Sequence, residues 1–126
     1  IQGIKCFLEL EPAYYAIENG AAHIVAKSIK NNEMKTTQLR KFFGHIKKLE
    51  AETKGMKPTE LFASSKLYLV MPELAYALGR KLISSDFYEL MKNSLSATKI
   101  KTVGDFKQFV GFLSAVLAYH KMEGGK

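Results

Sequence analysis

An all-α domain, a compact bundle of five to six helices, is predicted by three features of the sequence. Apolar residues recur at three- and four-residue steps almost throughout, the spacing that lines one face of a helix. No stretch of useful length alternates apolar and polar residues as a half-buried strand would. Only three prolines, Pro12, Pro58 and Pro72, punctuate the 126 residues, so few helices meet an obligatory break. The length suits a single domain, residues 1–126, with a real core, and is too short to expect two. There is no internal repeat and no low-complexity segment.

The first helical stretch is expected to run to about Lys30. Pro12 suits a first-turn position, where its missing N–H has no helical partner to lose, and Gly20 interrupts the pattern. Ile17, Ala21, Ile24, Val25 and Ile29 line one face. A polar linker, Asn31-Asn32-Glu33-Met34-Lys35, leads to Thr36 or Thr37. Either hydroxyl can cap the second helix by accepting from an unpaired first-turn amide. That helix should end near Gly55, ahead of Pro58. The third segment, from about Thr59 to Leu82, contains Pro72. Proline lacks the amide proton and crowds the preceding turn, so Leu69-Val70-Met71 should be a kink or a break. Asp86 with Glu89 resembles the cap of a fourth helix ending near Thr98. Thr102 caps the last helix, whose core stripe is Phe106, Phe109, Val110, Leu113, Val116 and Leu117. Phe112 and Tyr119 lie off that stripe. A helix apolar on more than one side is deeply buried or meets another subunit, so these two are the candidate subunit interface.

Hydrophobic residues make up 47% of the chain and charged residues 25%, a composition that supports folding. No run approaches 18 apolar residues, so no membrane-spanning helix is expected. The opening, IQGIKCFLELEP, lacks the basic segment, clean apolar run and cleavage site of a signal peptide. It also lacks an initiating Met, which implies that residues precede Ile1. A lone cysteine, Cys6, forms no internal disulfide and reads as a small core hydrophobe in a reducing, cytoplasmic setting. The net charge of +7 favours a polyanionic partner. The dispersed lysines also fit a charge-rich surface of the thermophile kind.

No enzyme signature emerges. The glycines are scattered, and none precedes Lys-Ser or Lys-Thr at the spacing of a phosphate-cradling loop. His23, His45 and His120 fall on three different predicted helices without a second His or carboxylate at metal-ligand spacing. Each reads as a polar or partly buried helix residue. His45 is the exception worth keeping, because it adjoins a basic face and can reach phosphate or ribose. Glu9/Glu11 and Glu50/Glu52 sit two apart, on different helix faces, and read as solvated charge. Ser64-Ser65 and Ser84-Ser85 lack an adjacent base and read as surface and capping residues. Neither catalytic residue, cofactor nor metal is expected.

The second helix is the informative one. In KTTQLRKFFGHIKKLE, Leu39, Phe42, Phe43, Ile46 and Leu49 form the core row. Arg40, Lys41, Lys47 and Lys48 flank Gly44 on the other side. Charge rows are usually just solvated, and geometry alone leans that way. The alternative is a phosphate-binding face, with Gly44 admitting a sugar–phosphate backbone. Gly44 could equally admit a neighbouring helix. Arg80-Lys81 is a second basic pair, which also suits the negative end of a helix dipole. Tyr68 and Tyr76 are able to stack on bases, but tyrosines at helical spacing are more often core.

Three pieces, in this order, carry a resemblance: TTQLRKFFGHIKKLE, LVMPELAYALGR and FKQFVGFLSAVLAYHK. Together, across about Thr36 to Lys121, they resemble the small subunit of the type III-A CRISPR interference complex, the Csm complex. The resemblance implies a non-catalytic RNA-binding scaffold. Copies would stack as a short filament beside the guide RNA–target RNA duplex and touch the other subunits of the complex. The family's basic positions fall on Arg40, Lys41, Lys48 and Arg80, to which the basic face adds Lys47 and the second basic pair adds Lys81. An acidic residue near the centre of the family's closing helix is replaced here by the region of Ser114-Ala115, which puts any role of that acid in doubt. The rival reading is a helical DNA-binding regulator using Thr37 to Lys48 as a recognition helix, with Gln38, Lys41 and Lys48 in a major groove. Against it, the preceding turn is long and polar rather than tight.

Overall fold

The computed structural model describes residues 15–31, 36–62, 65–95 and 100–124. Its helices are α1 (Ala21–Asn31), α2 (Thr36–Ala51), α3 (Ser65–Tyr68), α4 (Val70–Gly79), α5 (Ser85–Ser94) and α6 (Val103–Met122). Among the described residues the one β pairing is an isolated antiparallel bridge from Leu61 to Thr102. The all-helical expectation therefore holds. Pro12, Cys6, Asn32 to Lys35 and Thr98 lie outside the described residues.

Helix α6 is the centre, and α1 and α2 pack along it. Ten of its side chains or backbone positions are buried, on more than one side: Phe106, Phe109, Val110, Leu113 and Val116 as expected, and Phe112 as well. A helix apolar most of the way round is stable only when neighbours cover it. Tyr15 covers Phe112 edge-on at 5.8 Å between ring centroids, and its hydroxyl meets Gln108 at 3.2 Å. Burial raises the Tyr15 hydroxyl pKa above its ordinary value. Phe62 stacks on Phe106 at 4.3 Å, and Phe42 meets Phe87 at 6.1 Å, linking α2, α5 and the 58–62 segment to one core.

Phe112, expected with Tyr119 at a subunit interface, is placed elsewhere. At 1% exposure it is interior, not surface. Tyr119 is part-buried. Its ring stacks on His23 at 4.5 Å and its hydroxyl donates to the Ala16 carbonyl at 2.6 Å. Much of the apolar surplus of α6 is thus absorbed within the subunit, while Met122 is exposed at 56%.

Helix α1 is also re-aimed. Ala22 and Ala26 are fully buried, Ala21 and Val25 partly so, and Ile17 and Ile24 are exposed at 58% and 62%. Small alanines let α1 lie close to α6, which turns Ile24 outward. Its N-terminus is held by His23. The Asn19 N–H donates to His23 Nδ1 at 2.8 Å, which leaves Nε2 to donate to the Glu123 carboxylate at 2.8 Å. Asn19 takes the left-handed φ of 63° that Asn tolerates better than most residues. Thr36, expected as a possible cap, lies inside α2, and its Oγ1 meets Nδ1 of the buried His120 at 3.1 Å.

The segment expected to be helical from Thr59 starts later. Residues 58–62 instead brace the start of α6: Val103 and Gly104 donate their N–H groups to the carbonyls of Glu60 and Pro58, each at 2.9 Å. These are first-turn amides with no helical partner, so the brace satisfies a need that α6 cannot meet alone. The break near Pro72 falls at Leu69, between α3 and α4. Pro72 then sits in the first turn of α4, where its missing N–H breaks no helical bond. Helix α5 is capped by Ser84, whose Oγ accepts from the Phe87 N–H at 3.1 Å, rather than by Asp86. Asp86 occupies the first turn, where an anion complements the dipole. The expected cap of α6 is present. Thr102 and Asp105 form a reciprocal capping box.

Candidate nucleic-acid interface

Helix α2 presents its two faces to different surroundings. Leu39, Phe42, Ile46 and Leu49 are buried, and Phe43 packs partly against them. Seating that row in the core fixes the rotation of the helix. It leaves Arg40, Lys41, Gly44 and Lys48 exposed. Glu73 of α4 reaches this face, and a groove of about 450 Å³ forms there, lined by Arg40, Lys41, Gly44, His45, Lys48 and Glu73.

Gly44 is open. A Cβ built there would find nothing within 4 Å, so among the described residues no neighbouring helix packs on it. The groove carries three cations and one carboxylate. Glu73 is engaged by His45, whose Nδ1 lies 2.9 Å from Oε2. Among the described residues no carboxylate pairs with Arg40, Lys41 or Lys48. Three unneutralised cations around a concave floor sum to a positive potential that draws anions. Arg brings a planar fork for phosphate oxygens and Lys a mobile point charge. Among the described residues no cluster of three His, Cys, Asp or Glu side chains gathers to hold a metal. The arrangement suits binding of an extended anion.

The six basic residues singled out in the sequence do not act as one group. Arg40, Lys41 and Lys48 line the groove. Lys47 sits about 60° round the helix from Gly44, and its ammonium pairs with Glu50 one turn on. Arg80 lies beyond the end of α4, with its guanidinium 5.7 Å from the Tyr76 ring centroid and Nη1 donating to the Tyr76 hydroxyl at 3.4 Å. Lys81 has the left-handed φ of 62°. The Leu82 N–H bonds to the Ala77 carbonyl and the Lys81 N–H to that of Leu78, the paired bonds that close a helix C-terminus. Lys81 therefore has a defined structural task where glycine is commonest. Tyr68 and Tyr76, expected in the core, are exposed at 50% and 64%. Glu73 was not among the sequence candidates. Its first-turn position beside Pro72 gives no sign that it meets a histidine 28 residues earlier.

A family model described as Csm2 Type III-A matches residues 13–126, nearly the whole chain. No curated protein matches the chain. No solved structure matches it.

Proposed function

Because the chain belongs to the Csm2 Type III-A family, and so is a small subunit of a type III-A CRISPR effector complex, we propose that it serves there as a non-catalytic RNA-binding scaffold. Several copies stack along the guide RNA–target RNA duplex, in the cytoplasm, together with the other Csm subunits. The observation that carries the reading is the groove of Arg40, Lys41 and Lys48 around an open Gly44. Phosphate neutralisation releases counterions and is indifferent to sequence, as a subunit serving any guide requires. Base pairing between guide and target supplies the specificity. An A-form duplex is read by shape, phosphate and 2′-hydroxyl contacts, which a rigid helix with a basic row offers. Arg80, Lys47 and Lys81 lie outside the groove and are assigned supporting charge for the same RNA. No helix among the described residues is long and apolar enough to cross a membrane.

Arg40→Ala with Lys41→Ala is expected to weaken binding to duplex RNA while the protein stays folded. It should also flatten the dependence of log affinity on log salt by roughly 1 to 2 units, about 0.9 per lost phosphate contact. Unchanged affinity at moderate salt, with helicity and melting intact, would sink this face. Preference for duplex DNA over duplex RNA in competition would favour the DNA-regulator reading instead.

A further inference from the structure

We propose that Tyr76, held by Arg80, is a stacking platform for one unpaired nucleobase of the RNA whose backbone occupies the basic groove. The inference rests on the groove being an RNA site and adds a second kind of contact to it.

Glu73, Tyr76 and Arg80 stand at i, i+3 and i+7, so they share one side of α4. Glu73 is a wall of the groove. Tyr76 follows it by about 4.5 Å along the helix axis, at 1.5 Å per residue. Tyr76 is 64% exposed on a helix whose other large apolar residues are buried, as Val70 and Leu74 are, or partly buried, as Met71 and Leu78 are. The ring is also oriented. The Arg80 guanidinium sits over it, and Nη1 donates to its hydroxyl. A guanidinium on the ring adds cation–π attraction and reduces the freedom lost when a base arrives. Arg80 itself stays exposed and cationic.

The geometry also says which base the platform takes. In a continuous duplex both faces of every internal base are covered by its neighbours, so an exposed ring finds no partner. A bulged, flipped or single-stranded nucleotide presents a free face, and any of the four bases offers one. The ligand is therefore an RNA with an unpaired nucleotide beside a phosphate track, without preference for base identity.

The test uses the full chain and three synthetic RNAs of equal length: a continuous duplex, the same duplex with one bulged uridine, and that duplex with an abasic nucleotide in the bulge. Wild-type protein should bind the uridine bulge about fivefold or more tighter than either other RNA, the lower end of what one base–aromatic stack is worth. Tyr76→Ala should erase that preference and leave the salt dependence unchanged, because the ring carries no charge. Tyr76→Phe should keep it. Equal binding of all three RNAs by the wild type, or a preference that survives Tyr76→Ala, overturns the platform. Loss of another Csm subunit from the purified complex with Tyr76→Ala, without change in RNA binding, overturns it too and makes the ring a protein contact. The groove is judged separately. If Arg40→Ala with Lys41→Ala leaves affinity for every RNA intact, the RNA site itself fails, whatever Tyr76 does.

Discussion

Gly44 is exposed on α2, and nothing stands within 4 Å of where its Cβ would be. Glycine in a helix interior costs up to about 1 kcal/mol relative to alanine, and among the described residues no packing contact offsets it. Gly44→Ala should therefore stabilise the isolated protein by up to about 1 kcal/mol, read from denaturant unfolding. The same substitution should weaken duplex RNA binding if the sugar–phosphate backbone comes down onto the helix. A stabilised variant with unaltered RNA affinity would show that the groove floor is not approached. Lys81 makes a contrasting case. Its left-handed backbone closes α4, so its side chain is carried on a conformation chosen for the turn rather than for a ligand. Histidine shows the same division. His23 and His120 are buried and hydrogen-bonded between α1, α2 and α6, while His45 reaches into the groove and holds Glu73.

At the scale of elements, the start of α6 is the most heavily tied point. The buried Asp105 carboxylate accepts from the N–H groups of Lys101 and Thr102 at 3.0 and 3.1 Å, and the Asp105 N–H donates to Thr102 Oγ1 at 3.2 Å. Thr102→Ala should cost about 1 kcal/mol, the usual value of an N-cap. Asp105→Ala should cost more, about 1–3 kcal/mol, because it leaves buried amides without an acceptor. Urea unfolding of the two variants checks the order. A smaller loss for Asp105→Ala would mean that water replaces the carboxylate. The cap was legible because Thr102 stands ahead of an apolar run, while its partner Asp105 was not singled out. The brace from 58–62 was not, since carbonyls carry no residue signature. For α5 the sequence offered both Ser84 and Asp86, and burial of Phe87 selected the register in which Ser84 precedes the first turn.

For the whole molecule, one groove is a weak ligand for a long polyanion, and several copies on one duplex multiply it. A duplex long enough for several copies should bind with a sigmoidal isotherm and lower half-saturation than one that accommodates a single copy. Equal affinity per site with no cooperativity, measured at one salt concentration, would count against stacking on RNA. Stacking head-to-tail needs two complementary surfaces, and Phe112 belongs to neither, because it lies inside the subunit. By itself the sequence determined the helical class, the core row of α2, most of the core stripe of α6 and the basic character opposite that row. Each is a periodicity, and periodicity is a local property of a chain. Only the tertiary structure decided which cations share a groove, that Gly44 is open, that Tyr76 is outside and that Phe112 is inside. Those outcomes depend on which helix lies beside which: small alanines bring α1 close to α6, and α4 sets Glu73 opposite His45. No spacing within one helix records its neighbour. KTTQLRKFFGHIKKLE could thus announce two faces, while the partner of each was fixed by packing across the bundle.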